Sequence, residues 1–178
     1  MTIKKYIISF FLIGISSGLI WVFLITLVPL FKWVDNYFQE ELRHDISCNL
    51  DTCRIEDYYW NAVFDTTTNR EYLIRGKMLD LISKSPNKLI GILNMRKSKC
   101  KIDKIGLEND TIKIRILEDE YLTEQMGTSG ADCYIGETIY TLTENELIKF
   151  VRIEMEHGSH ASPGIYSRND YKNLLKEN

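Results

Sequence analysis

The segment TIKIRIL, residues 111 to 117, decides the fold class of this chain. Ile112, Ile114 and Ile116 alternate with Lys113 and Arg115, and this period of two is typical of a strand with one buried face. Such a strand needs neighbouring strands and an apolar layer against its buried side. We therefore expect a sheet that is covered on one face.

Neighbouring segments supply the other strands. Ile102, Ile105 and Leu107 lead into a turn at residues 108–110, which predicts a hairpin that continues into residues 111–117. Residues 151–156 alternate apolar and charged side chains and predict a later strand.

A further strand is expected before the hairpin. Tyr58, Trp60, Ala62 and Phe64 occupy every second position, and the sequence TTTN then ends the pattern.

Two helices are expected between the strands. Apolar residues recur at helical spacing over residues 71–84, and Pro86 should stop that helix. Ser129 and Asp132 resemble a capping box at the start of the second helix, which should end near Asn145. The predicted order is strand, helix, strand, strand, helix, strand, an α+β domain of two layers over residues 58–168, with both helices on one face of a single sheet.

An apolar run precedes this domain. Residues 6–31 contain no charged side chain, and a helix of that length, about 39 Å, would exceed the roughly 30 Å hydrocarbon core of a bilayer. We interpret it as an uncleaved transmembrane anchor rather than a signal peptide, whose apolar core is shorter. Lys4 and Lys5 favour a cytoplasmic n-region at residues 1–5. Residues 32–57 are then a juxtamembrane stalk, the domain is extracytoplasmic, and residues 169–178 form a C-terminal tail.

Charge argues against nucleic-acid binding. The net charge is -3, and phosphate binding needs a clustered basic face. The only basic cluster is RKSKCK, residues 96–101, which we interpret as a solvated loop between two elements. Contact with anionic lipid or a wall polymer is the alternative.

Four cysteines occur in a chain predicted to enter an oxidising compartment. Cys48 and Cys53 flank a four-residue loop and could form a local disulfide, whereas Cys100 and Cys133 would have to meet through the fold. Free buried thiols are the alternative for all four.

The segment HGSHASPG, residues 157–164, is the part of the sequence most suggestive of chemistry. His157 and His160 follow Glu156, and these three side chains could bind a metal. Turn-forming residues dominate the segment, the HExxH motif is absent, and a zinc site needs three or four ligands on rigid elements. We interpret the segment as a loop.

Three stretches together resemble the GerMN domain, the sporulation and spore-germination domain of bacterial envelope proteins. They are MLDLISKSPNK at residues 78–88, IKIRILED at residues 112–119 and MGTSGADCYIGETIYTLTENELIKFVRIEMEHG at residues 126–158. The resemblance covers about residues 58–168. It implies a non-catalytic module on the outer side of the cytoplasmic membrane, with a fold similar to the ring-building modules of secretion systems. Many members of the family are lipoproteins or carry two copies of the domain, whereas this chain has one copy and a helical anchor.

The sequence therefore predicts a single-pass membrane protein that binds or assembles and is not an enzyme. Expected partners are envelope proteins or a cell-wall polymer, with no cofactor, and self-association stays open. A small metal-dependent hydrolase that uses Glu156, His157 and His160 is the alternative.

Overall fold

A computed structural model describes residues 54–96 and 99–176. The chain divides into two units, Met1–Cys48 and Asn49–Asn178, and the described residues all lie in the second. The strands and α-helices in chain order are β1 Asn61–Asp65, β2 Arg70–Ile74, α1 Pro86–Met95, β3 Lys101–Glu108, β4 Thr111–Leu117, α2 Thr128–Leu142, β5 Phe150–Glu154 and β6 Gly164–Tyr166. Short 3-10 helices span Ile55–Tyr58, Leu79–Leu81 and Arg168–Leu174, and a π-helical turn spans Tyr121–Gln125.

The main sheet has four strands in the order β3-β4-β5-β6. β3 and β4 form the predicted antiparallel hairpin, β4 pairs with β5 in parallel through the α2 crossover, and β6 is antiparallel to β5. Ile112, Ile114 and Ile116 are at most 3% exposed, as the alternation predicted. Burying each such side chain stabilises the fold by about 1.5–3 kcal/mol.

β3 forms one edge of this sheet, and a side chain protects it. The amide of Asn94, near the end of α1, donates to Ile102 O at 2.8 Å and accepts from Ile102 N at 2.7 Å. The register shifts between Lys104 and Gly106, so the strand carries a bulge further along. Blocked backbone groups and bulges both oppose pairing of an edge strand with another chain.

The prediction of a helix over residues 71–84 is wrong. Residues 70–74 form β2, and only Leu79–Leu81 is helical in the remainder. Pro86 begins a helix instead of ending one, because proline at the first helical position lacks only an N–H that would have no partner. Ser85 precedes it as the N-cap, and its side chain accepts from Lys88 N at 3.4 Å.

The second predicted helix exists, but its start differs from the prediction. Gly127 occupies the N-cap position with φ of +78° and offers no side chain, so Ser129 and Asp132 do not form a capping box. The helix ends at Leu142, three residues before Asn145. Ten of its fifteen residues are buried.

Burial of α2 on several sides is explained by a second sheet. β1 and β2 form a separate antiparallel hairpin, with Ala62 opposite Leu73. This hairpin and the C-terminal segment Arg168–Leu174 both contact α2, which also contacts β5 of the main sheet. A Cβ at Gly136 would lie 2.9 Å from Leu174 Cδ1 and 3.2 Å from Leu73 Cδ1, so both leucine side chains pack closely against α2 at this position. The predicted α+β class is confirmed, whereas the prediction of a single sheet is wrong, because the strands form two sheets.

The predicted anchor at residues 6–31 and most of the stalk at residues 32–57 lie outside the described residues. Within residues 54–96 and 99–176, no helix has the length and apolar character needed to span a membrane.

Candidate functional site

The histidine segment is a loop attached to neighbouring elements. Residues 155–163 contain no helix or strand. His160 N donates to Thr123 O at 2.9 Å, and its Nδ1 lies 3.1 Å from Thr128 Oγ1 at the start of α2. Glu156 and His157 are exposed, and Glu156 N donates to Asp119 Oδ2 at 2.6 Å.

Gly158 explains why this loop passes so close to the π-helical turn. A Cβ at this position would lie 2.5 Å from both Glu124 Oε1 and Thr123 Cβ. The Glu124 carboxylate also accepts from the backbone and hydroxyl of Ser159, at 3.1 and 3.0 Å. The loop is therefore ordered by its contacts with residues 121–125.

The structure does not assemble a metal-ligand set around these histidines. In the part of the chain that the structure describes, no group of three or more His, Cys, Asp or Glu side chains is placed to hold a metal ion. Glu156, His157 and His160 are therefore neighbours in the chain that the fold does not bring together as a set of metal ligands.

Two of the four cysteines, Cys100 and Cys133, lie among the described residues, and both are buried. Cys100 Sγ donates to Glu118 O at 3.7 Å, whereas Cys133 Sγ donates to Glu71 Oε2 at 3.2 Å, so no disulfide joins them in this structure. Burial, together with the hydrogen bond to Glu71, raises the pKa of Cys133 to about 12. Its thiolate, the reactive form, is thereby disfavoured. The predicted Cys48–Cys53 pair lies outside the described residues.

A line of polar side chains along α2 holds the β1–β2 hairpin. Ser129, Cys133, Glu137 and Thr141 are four positions apart and share one face of the helix. The first two donate to Glu71 Oε2. Glu137 Oε1 accepts from Ala62 N at 2.8 Å, and Thr141 Oγ1 accepts from Trp60 N at 3.0 Å.

The spacing of these bonds follows from backbone geometry. Trp60 and Ala62 are two strand positions apart, about 6.6 Å, and their acceptors on α2 are four helical positions apart, about 6 Å. The helix side chains therefore act in place of a missing neighbouring strand for these two N–H groups.

Glu137 also pairs with a buried arginine. Arg96 Nη1 lies 3.0 Å from Glu137 Oε2, Nη2 donates to Thr138 Oγ1 at 3.1 Å, and the guanidinium carbon lies 3.6 Å from the centroid of the Tyr134 ring. The Arg96 side chain is 5% exposed, and its Nε has no hydrogen-bond partner among the residues that the structure describes. Burial raises the pKa of Glu137, an effect that Arg96 opposes.

Arg96 is the first residue of the basic cluster at residues 96–101, which the sequence analysis interpreted as a solvated loop. That interpretation is wrong for Arg96, which is buried, and for Lys101, which begins β3 and donates to Asn94 O at 2.8 Å. An arginine after an apolar helix gives no sequence signal of burial, because its partner Glu137 is 41 residues away.

A second charged cluster surrounds Glu144, just after α2. Its carboxylate accepts from Trp60 Nε1 at 2.8 Å and forms ion pairs with Arg75, Lys84 and Arg168 at 2.8, 3.3 and 3.1 Å. Burial alone would raise the pKa of Glu144, but hydrogen bonds from Arg75, Trp60 and Lys84 lower it to about 2. The cluster joins four parts of the chain that are distant in sequence.

One face of the main sheet, the open face, carries exposed side chains that no other described element covers. We use this name for the outward side chains of β4, β5 and β6, which pair across the strands by register. Lys113 and Arg115 both pair with Glu154, at 2.7 and 3.1 Å, and three exposed apolar side chains lie on the same three strands. The apolar residues are Leu117, Phe150 and Ile165, which are 44%, 39% and 60% exposed.

The clusters around Glu137 and Glu144 hold elements of the fold together. The part-buried carboxylates of Glu137 and Glu144 each pair with an arginine and accept a hydrogen bond from a backbone or indole N–H group. Sequence reasoning missed both clusters, although the spacing of four along residues 129–141 was a signal for the first.

Comparison of the chain with protein-family models, with curated proteins and with solved structures found no match. The resemblance to the GerMN domain therefore stays a prediction.

Proposed function

We propose that this chain is a membrane-anchored module of the bacterial cell envelope, which binds or assembles with another envelope protein and turns over no substrate. The observation that carries the proposal is the open face of the main sheet. It presents a mosaic of charged and apolar side chains that no other described element covers. Sheet faces of this kind can dock another chain.

The charged clusters support the same proposal. A catalytic group needs an orienting partner and access to substrate. Glu137 is mostly buried against Arg96, and the side chain of Glu144 is 9% exposed and surrounded by cations, so both carboxylates stabilise the fold. The envelope location rests on the apolar run at residues 6–31, and a sporulation role rests on the resemblance to the GerMN domain.

The test compares full-length variants in membranes of the source organism. Arg152→Glu and Ile165→Asp change the open face at exposed, register-paired positions, whereas Lys77→Glu makes a similar charge change in an exposed turn. We expect one partner protein to co-purify with the wild type and with Lys77→Glu but not with the two open-face variants.

A histidine variant distinguishes binding from metal-dependent hydrolysis. His157→Ala combined with His160→Ala should leave partner recovery unchanged. A folded double variant that has lost both bound zinc and cellular function would overturn the proposal. Partner recovery that is indifferent to Arg152→Glu and Ile165→Asp would refute the assignment to the open face.

A further inference from the structure

A groove lies between the end of α2, the start of β5 and the segment 167–169. Its volume is about 470 Å³, within the roughly 300–1,000 Å³ of small-molecule sites. It is lined by side chains that include Thr143, Ile148, Lys149, Phe150, Arg168 and Asn169. Ile148 is buried and Phe150 is 39% exposed, so the groove has an apolar part beside its polar groups.

Arg168 is held in a fixed position at this groove. Its Nε donates to Thr143 Oγ1 at 2.7 Å, and its Nη2 donates to Tyr140 O at 3.0 Å and to Glu144 Oε1 at 3.1 Å. The guanidinium carbon also lies 5.0 Å from the centroid of the Tyr140 ring. A guanidinium that is already ordered loses little entropy when it binds an anion.

The Nη1 nitrogen of Arg168 is available to donate hydrogen bonds. Arg168 Nη1 has no hydrogen bond to any residue that the structure describes, and the side chain is 41% exposed. Lys149 lines the same groove, is exposed and forms no ion pair within the described residues. The Glu146 carboxylate is the one acidic group among the lining side chains, and Glu144 is the ion-pair partner of Arg168 beside the groove.

We infer that this groove binds an anionic group, a carboxylate or a phosphate, through Arg168 and Lys149, with an apolar part of the same ligand against Ile148 and Phe150. Arginine and lysine together are a usual pair for such anions, since arginine orients the group and lysine adds a point charge. The inference goes beyond the proposed function because it concerns a groove that shares only Phe150 with the open face. It can fail while partner binding at Arg152 and Ile165 succeeds.

The experiment follows backbone amide resonances of the full-length chain in neutral detergent while inorganic phosphate or acetate is added at constant ionic strength. We expect saturable shifts at Ile148, Phe150 and Arg168. Lys149→Glu should weaken binding by about tenfold, which corresponds to about 1.4 kcal/mol. Lys77→Glu, the matched control outside the groove, should bind as the wild type does.

A second variant separates the role of Arg168 in the fold from its role in binding. Arg168→Lys keeps the charge but not the fork of donors, so we expect an unchanged overall spectrum with weaker binding. Vesicles of phosphatidylglycerol and of phosphatidylcholine distinguish the sources of the anion. Stronger shifts with the first indicate a lipid headgroup, and shifts with free phosphate or acetate alone indicate a soluble ligand. The inference is overturned if shifts do not saturate, or if Lys149→Glu and Lys77→Glu weaken binding equally.

Discussion

Replacing Glu137 by alanine tests the buried ion pair directly. The substitution leaves the Arg96 guanidinium, 5% exposed, without its 3.0 Å partner, and it removes the acceptor of Ala62 N. Breaking a buried pair by removing one partner costs about 3–5 kcal/mol. For a domain of this size, that loss should lower the Tm by roughly 10–25 °C.

A double-mutant cycle measures the coupling between the two side chains. Arg96→Met alone leaves Glu137 without its cation, and Glu137→Leu alone leaves Arg96 without its anion. The two substitutions together remove both charges and leave Ala62 N without its acceptor. The double variant should therefore be more stable than the sum of the single effects predicts, by about 2 kcal/mol or more. Urea and thermal unfolding of the full-length chain, followed by circular dichroism, provide the free energies.

The dependence on pH gives an independent check. Because burial raises the pKa of Glu137, its contribution to stability is fully present below the ordinary value of 4.5 and is lost as pH rises through the folded-state pKa. Arg96 lowers that pKa, so Arg96→Met should raise it further. The deficit of Arg96→Met should shrink as pH falls from neutral toward 4.5, whereas that of Glu137→Ala should not. Single effects that add within about 0.5 kcal/mol, with no change in the Arg96→Met deficit, would refute the reasoning.

Three further predictions concern other parts of the domain. Glu144→Gln should lower the free energy of unfolding by about 1–3 kcal/mol at neutral pH. Because the wild type loses the contribution of Glu144 as pH falls from 4.5 toward about 2, the variant should lose less stability over that range, which unfolding measured at a series of acidic pH values will show. Gly158→Ala should destabilise the fold by about 1–3 kcal/mol because its Cβ would collide with Thr123 and Glu124. Gly106→Ala is the control, since a Cβ there meets nothing within 4 Å, and it should change stability by less than about 1 kcal/mol. Equal losses of stability in thermal unfolding would contradict the close approach at Gly158. Cys133 should resist iodoacetamide near pH 8 in the folded chain and react after denaturation, because its pKa is about 12, and rapid alkylation of the native protein in mass analysis would disprove its burial.

Sequence reasoning succeeded where one side of an element is buried against the core. The strands β4 and β5 alternate strictly, and the apolar positions of α2 follow a helical period, so their types could be predicted. It failed over residues 71–84, where Leu73 and Ile74 belong to a strand whose partner β1 carries few buried apolar residues. Pro86 could either follow a helix or begin one, and only the contacts of Ser85 distinguish the two.

The candidate sites were harder to predict because each depends on groups far apart in the chain. Glu144 is 69 residues from Arg75 and 84 residues from Trp60, so no local pattern announces their meeting. Charged residues are usually exposed to solvent, and on that basis Arg96 was predicted to lie in a solvated loop.

The two charged clusters explain how a small hairpin is held on a helix without joining the main sheet. A two-stranded hairpin is marginally stable alone in water, and β1 offers Val63 and Phe64 to solvent, 42% and 55% exposed. Its attachment therefore depends on Glu137 and Thr141 at one edge and on Glu144 at the adjoining turn. Since polar contacts of this kind are specific in geometry but modest in net free energy, the hairpin should open at a lower free energy than the main sheet. Amide hydrogen exchange should consequently be faster in β1 and β2 than in β4, and Glu137→Ala should widen that difference.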